Sequence, residues 1–308
     1  SGDKLTALSV MAIVNMCNFS EDIKDIFLQK NGFQIIMKLM NSKDEDILIN
    51  TLRLVMTLIA QKQGDTNQIG RKIAEENDNQ IIKRLIQLIK EGPGINFCSF
   101  TKEVNFMCIS LLRTFIQHSS KTKQLIMSDK KSGEKYPKSV LKIMLDLLKP
   151  SNIHKIDENI ENSILSLMTQ LVRDEIDYKR TVGKQFMEDA GMRLNELMKY
   201  LRFKAKQEYE LKRGKLSKET LEEESISDKI VFNEQTEKKF FKLINVLVKN
   251  SDQNLKLLRQ KMKQPLNDYL YQIVAMNCQK YNDENNKEMI DHYNEIKERI
   301  KNLQKFID

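Results

Sequence analysis

The chain has 308 residues, of which 40% are hydrophobic and 31% are charged, so it is long enough to bury a large core. Its 10 glycines and 4 prolines are too few for the many turns of an all-β or α/β protein, and the abundant Leu, Lys, Glu and Met favour helices. The net charge of +8 favours acidic over basic partners. We therefore predict an all-α protein.

The cysteines and histidines show no pattern of a metal site. The 4 cysteines are scattered without a CxxC pair, and the 3 histidines lie at no metal-ligand spacing from them. Buried thiols in a reducing compartment fit this usage better than a disulfide framework. No apolar run is long enough to span a membrane. We expect a cytoplasmic protein with no cofactor, no metal and no membrane span.

The first sixty residues repeat one pattern of helices. A long apolar helix, a short amphipathic helix and a second apolar helix are predicted at residues 5–17, 21–29 and 33–40. Residues 46–59 then repeat the pattern of the first helix, with Thr57 about where Asn15 stands. A period of about 40 residues made of such helical units is typical of an α-solenoid, in which each unit buries its apolar face on its neighbours.

The pattern continues with longer intervals. We predict further helices at residues 68–76, 80–90, 104–117, 121–127, 139–148, 156–173 and 174–185. Gly191 is expected to form the same turn between a short and a middle helix as Gly32. Methionines on the helical stripes are expected to fill the core, namely Met37, Met40, Met56, Met107, Met144 and Met168.

The regularity weakens after residue 193. A helix at 193–211 runs past its own apolar face, and the charge-dominated stretch 212–229 is predicted to be an exposed insertion. Helices resume at residues 236–248, 253–262, 266–275 and 287–307, the last of them a cap. We divide the chain into armadillo-like repeats (1–203), a charged helical extension (204–233) and a C-terminal repeat with capping helices (234–308).

The order of short helix, glycine turn, middle helix, polar loop and long apolar helix resembles the armadillo family. The likeness is most specific over residues 5–60, where Asn15 stands at the family's frequent asparagine position. It implies a right-handed superhelical α-solenoid of about five repeats, with irregular loops, whose long helices line a concave groove. The first helix resembles the last helix of a repeat and the chain starts Ser-Gly without Met, so we expect a fragment of a longer protein.

Polar residues on the long helices are the candidates for binding in that groove. The armadillo import receptors place a Trp one turn before each groove Asn, but this chain has no Trp, which argues against import-signal binding. An extended or helical peptide remains a candidate ligand. Alternatively, these residues merely solvate the outer side of each helix. The groove candidates are Asn15, Arg53, Thr57, Arg113 and Thr114.

Two clusters of basic residues form a second candidate surface. Basic patches attract nucleic acid, acidic lipid or acidic protein tails such as those of tubulin. Nucleic acid is the weakest of these candidates, because aromatic residues are sparse and Lys far outnumbers Arg. A plain solvated surface is the alternative. The basic candidates are Lys121, Lys123, Lys130, Lys131, Lys135 and Lys138, and then Lys199, Arg202, Lys204 and Lys206.

No catalytic constellation stands out from the sequence, so we expect a protein that is not an enzyme. The favoured hypothesis is a protein–protein interaction scaffold inside a large assembly, in a ciliary, axonemal or other microtubule-associated setting. That setting is suggested by a composition rich in Asn, Lys and Ile and by a basic solenoid. The alternative is a soluble adaptor or chaperone-cofactor-like solenoid that binds a client peptide in its groove. Nucleic-acid binding is the third hypothesis.

Overall fold

The computed structural model describes residues 2–60, 66–91, 102–129, 138–153, 156–212 and 232–280, and also 294, 297–298, 301–302 and 304–305. Thirteen helices and no strand are found in these residues, which confirms the all-α prediction. In chain order they are α1 Gly2–Phe19, α2 Glu21–Gln29, α3 Gly32–Leu39, α4 Glu45–Ile59, α5 Thr66–Glu91, α6 Lys102–His118, α7 Ser120–Ser128, α8 Val140–Leu147, α9 Glu158–Val172, α10 Ile176–Lys212, α11 Glu234–Val248, α12 Asp252–Lys261 and α13 Lys263–Lys280.

The chain divides into two compact units, residues 1–144 and 145–308. In the N-terminal unit the long helices pack side by side in chain order, α1 against α4 and α4 against α6. In the C-terminal unit α9 packs against α11, and the long helix α10 packs against both of them and against α12 and α13. Residues 213–231 of the predicted charged extension lie outside the described residues, as do most of residues 287–307.

The heptad-like spacing of small apolar residues explains how α1 joins α4. Ala7, Val10, Val14 and Cys17 are the buried residues of α1, and their spacing of three and four places them on one side of the helix. The next helix, α4, is buried nearly all round, because it has a long helix on either side. Burying each such aliphatic side chain contributes about 1.5–3 kcal/mol.

The predicted break between helices 68–76 and 80–90 is confirmed. Although α5 spans both, its backbone leaves the helical region at Glu76 and turns through three residues with positive φ. Asn77, Asp78 and Asn79 have φ of 44°, 59° and 61°, which Asn and Asp tolerate better than other side chains. The sequence Asn-Asp-Asn thus ends one helix and starts the next.

The turn predicted at Gly191 is wrong, whereas the turn at Gly32 is confirmed. Asn31, with φ of 64°, breaks the chain before α3, but α10 runs through Gly191 without interruption. Glycine has a different structural role there, because a Cβ atom at this position would lie 2.6 Å from the backbone oxygen of Lys261. Gly191 therefore allows α10 to approach the end of α12 closely.

Recurring caps fix where the long helices begin. Asp44, Asp157 and Asn233 are the N-caps of α4, α9 and α11, and each accepts a hydrogen bond from the backbone N–H three residues later. The N···O distances are 3.0, 2.9 and 2.7 Å. Such a cap satisfies one of the otherwise unpaired N–H groups of the first turn.

A buried lysine caps the far end of a long helix in each unit. Lys24 in α2 donates to the carbonyl oxygen of Ala60 at 2.6 Å, and Lys179 in α10 donates to that of Lys249 at 2.8 Å. Each lysine is the fourth residue of its helix, and each acceptor is the C-cap of a long helix. A cation at a helix C-terminus interacts favourably with the unpaired carbonyls there.

Candidate protein-binding face

The outward residues of α4 fall on one line along the helix. Asp46, Arg53, Met56 and Ala60 are exposed and Ile49 is half-buried, while most other residues of α4 are buried. Their spacing of three and four residues places them on one side. This side is the one that the packing of α1 and α6 leaves open.

The neighbouring helix α6 continues this surface. Arg53 of α4 and Glu103 of α6 form an ion pair with an N···O distance of 2.6 Å, and both side chains are about half exposed. An ion pair in such a position adds little stability because water screens it. It does, however, hold the Arg53 guanidinium over the junction of the two helices. Phe106 and Arg113, both half-buried, lie further along the same side of α6.

Met11 and Asn15 of α1 complete the surface. The spacing that relates Asn15 to Thr57 also relates Met11 to Arg53, so Met11 corresponds to the outward line of α4. Asn15 lies one turn after Met11, and both are exposed. We define the long-helix face as Met11, Asn15, Arg53, Met56 and Arg113. Methionine and arginine are enriched at protein interfaces, because the thioether adapts its shape and the guanidinium donates several hydrogen bonds.

The structure places the five groove candidates in different environments. Asn15 and Arg53 are exposed, whereas Arg113 and Thr114 are half-buried. The hydroxyl of Thr114 donates to the carbonyl oxygen of Ser110 in its own helix at 3.1 Å, which leaves it less available to a ligand. Thr57 is buried and offers almost no surface. Arg53 and Arg113 therefore remain the principal polar groups.

The expectation for the methionines is confirmed for Met40, Met107, Met144 and Met168, which are all buried. Met37 is half-buried. Met56 contradicts the expectation, since it is exposed on the long-helix face. The apolar stripe of a helix shows which side is apolar, but only the neighbouring elements decide whether that side is covered.

The described lysines of the first basic cluster differ in exposure. Lys121 is exposed on α7, Lys123 and Lys138 are half-buried, and Lys130, Lys131 and Lys135 lie outside the described residues. The charge of Lys121 acts on Asp78, whose carboxylate accepts a 2.5 Å hydrogen bond from Lys83. That bond, and the positive charges of both lysines, lower the pKa of Asp78 below its usual value.

The second basic cluster lies on α10. Lys199, Arg202 and Lys206 are exposed there. Lys204 belongs to the same helix, but its side chain is not among those that the structure describes. Arg202 lies 3.5 Å from the carboxylate of Asp268, so part of its charge is offset within the unit.

A buried polar cluster in the C-terminal unit is absent from the sequence-based expectations. Arg193 forms a buried ion pair with Glu161, and its guanidinium carbon lies 4.1 Å from the ring centre of Phe232. Beside it, the hydroxyl of Tyr269 donates to the buried carboxylate of Glu237. Burial and the negative charge of Glu237 raise the pKa of Tyr269 well above its usual value. Aromatic packing and these polar contacts join α9, α10, α11 and α13 into one core.

Among the described residues, no group of three or more His, Cys, Asp or Glu side chains is placed so that it could hold a metal ion. None of the helices in the described ranges is long and apolar enough to cross a membrane.

Comparisons with known proteins give the fold and no family. No protein-family model and no curated protein sequence matches this chain. The crystal structure of an engineered protein, solved by the Northeast Structural Genomics Consortium, is similar with a TM-score of 0.55 at 9% sequence identity. The likeness covers 96% of this chain and 90% of the engineered one. At this identity it supports the arrangement of helices alone.

Proposed function

We propose that this chain is a protein–protein interaction scaffold without enzymatic activity, and that it engages a partner of a larger assembly through the long-helix face. The observation that carries the proposal is the exposure of Met11 on α1, and of Arg53 and Met56 on α4, two long helices that pack side by side. Exposed methionines beside an arginine combine two residue types that are enriched at protein interfaces, and the thioether side chain adapts to the shape of a partner.

We further propose that the repeats are armadillo-like and belong to a right-handed solenoid. The side-by-side stacking of the long helices within each unit supports this, as do the recurring caps at Asp44, Asp157 and Asn233. In such a fold the stacked long helices offer an extended surface to a ligand. The partner that fits the long-helix face is an extended or helical peptide, with apolar side chains for the methionines and carboxylates for the arginines.

Changing the charge of the long-helix face tests the proposal. The variants Arg53→Glu and Met56→Lys should lose the proteins that co-purify with the tagged wild-type chain from its native cells. Both side chains are exposed, so the fold should be unaffected. The matched control is Arg71→Glu, which also breaks an exposed ion pair, between Arg71 and Glu75 on α5. Co-purification that is equal in wild type, Arg53→Glu and Met56→Lys would overturn the proposal.

Binding through the basic clusters is the competing mode, and less of the structure favours it. A polyanion ligand would have to compete with Asp268 for Arg202, and its affinity would fall steeply with salt. The composition and the basic net charge are what favour a ciliary or microtubule-associated setting.

A further inference from the structure

The ion pair between Arg53 and Glu103 leaves most of the arginine unused. Arg53 donates through Nη2 to Oε1 of Glu103 at 2.6 Å, and its side chain makes no other polar contact with the described residues. A guanidinium has further N–H donors at Nε and Nη1. Both side chains are about half exposed, so a ligand in solution can reach these remaining donors.

Arg84 shows how an arginine with a structural role is bound in the same unit. Its Nε donates to the carbonyl oxygen of Met40 at 3.0 Å, and its Nη1 lies 3.2 and 3.0 Å from the two carboxylate oxygens of Glu91. Its side chain is only 10% exposed. Arg84 thus joins the end of α3 to α5 by several bonds in a covered position. The single exposed bond of Arg53 contributes much less to stability, because water screens it.

The stacking of long helices does not require a charged pair. In the C-terminal unit, Asn162 of α9 donates to Gln235 of α11 at 3.3 Å, and both groups are neutral. Asn162 is buried, whereas Arg53 lies on the outward line of α4 between Ile49 and Met56. The charged pair of the N-terminal unit therefore lies where a partner of the long-helix face would meet it.

Glu103 is a carboxylate ligand that the chain itself supplies to Arg53. It is the second residue of α6, where the free N–H groups of the first turn stabilise a negative charge even without the arginine. Releasing Glu103 into water therefore costs little free energy. A second carboxylate on the same guanidinium would be repelled by Glu103, because two negative charges would then share one positive charge.

We propose that Glu103 is a built-in competitor, which occupies Arg53 in the unbound protein and is replaced there by an acidic side chain of the partner. This role of Glu103 rests on the proposed function, since it has an effect only if the long-helix face binds a partner. Competition of this kind selects against acidic chains that reach Arg53 alone. It favours a partner that also contacts Met11 and Met56.

Removing the competing charge tests this role. Glu103→Gln should raise the amount of partner that co-purifies per tagged chain from diluted native-cell extract by about two- to fivefold, the range expected for an exposed ion pair. The swapped variant Arg53→Glu/Glu103→Arg keeps an ion pair but should recover as little partner as Arg53→Glu, because the partner's acidic group then meets a negative charge. Quantitative mass spectrometry measures both.

The matched control is Asp177→Asn. It removes the carboxylate of the second residue of α10, which forms an exposed pair with Arg180, and changes the net charge by the same amount. Co-purification should be unchanged in this variant. Thermal unfolding, which none of these exposed substitutions should alter, distinguishes a lost partner from a lost fold.

Three results would overturn the proposal: no gain with Glu103→Gln, an equal gain with Asp177→Asn, or wild-type recovery by the swapped variant. If Arg53→Glu and Met56→Lys still lose the partner in such a case, the proposed function stands and only the role of Glu103 fails. Wild-type recovery by those two variants would overturn the proposed function as well.

Discussion

The outward sides of the long helices differ in chemistry between the two units, although the helices begin with the same kind of cap. Nine and twelve residues after the N-cap, α4 presents Arg53 and Met56, whereas α9 has Ser166 and Thr169. Ser166 is half-buried, and Thr169 is buried and donates its hydroxyl to the carbonyl oxygen of Leu165 in its own helix at 2.8 Å. The N-terminal unit offers exposed apolar and cationic groups, while that side of α9 is mostly covered.

In both units a side-chain contact links one long helix to the start of the next long helix. Arg53 pairs with Glu103 across α4 and α6, and the side-chain amide of Asn162 donates to that of Gln235 across α9 and α11 at 3.3 Å. Glu103 and Gln235 occupy equivalent positions near the start of their helices. The stacking is therefore shared by the units, and the surface chemistry is what distinguishes them. We assign partner binding to the N-terminal unit for this reason.

The largest effect on stability is expected from the interior of the C-terminal unit. Glu161→Gln should lower the free energy of unfolding by about 3–5 kcal/mol, because the guanidinium of Arg193 would stay buried without its counter-charge. Urea denaturation followed by circular dichroism measures this. The double variant Glu161→Leu/Arg193→Met should be much less destabilised. Equal losses in the two variants would show that packing, and not the unpaired charge, causes the effect.

The lysine caps test whether the two units use one structural device. Lys24→Met and Lys179→Met should each cost about 2 kcal/mol, since each removes a buried cationic donor from the carbonyl oxygen at the end of a long helix. Thermal and urea unfolding of the two variants give the comparison. Lys256→Met on α12, where the side chain is exposed, is the control and should be neutral. A cost for only one of the two caps would break the equivalence.

A smaller effect is expected at alkaline pH in the N-terminal unit. Complete burial raises the pKa of the Cys108 thiol from 9.0 to about 12. The folded state therefore favours the protonated thiol, so its stabilising contribution is complete below pH 9 and is lost as the pH rises towards 12. At pH 10 the loss is about 1 kcal/mol. Cys108→Ala should flatten the decline in unfolding free energy between pH 9 and 12. An unchanged slope would contradict this account.

Helix positions and types could be predicted from local pattern, because apolar spacing and breakers such as Asn77-Asp78-Asn79 act within a few residues. The N-caps Asp44, Asp157 and Asn233 were also visible, as an Asp or Asn before each long helix, and would have given the register of the repeats. The prediction of a turn at Gly191 was wrong because glycine suits both a turn and a close contact between helices. Only the nearby backbone of Lys261 distinguishes the two cases.

The buried polar pairs could not be predicted. Glu161 and Arg193 are 32 residues apart, as are Glu237 and Tyr269, and nothing local links the members of either pair. The exposure of Met56 has the same origin, since it depends on which sides of α4 its neighbours cover. Local sequence fixes what a helix presents, but packing decides what remains available to a partner.

Site-specific photo-crosslinking in the native cells tests the central claim most directly. A benzoylphenylalanine at Met56 is compared with one at Asn245, which lies twelve residues after the N-cap of α11, as Met56 does in α4. The account predicts discrete covalent adducts to a partner protein from position 56 and none from position 245. No adduct from position 56, or the same adducts from both positions, would contradict it.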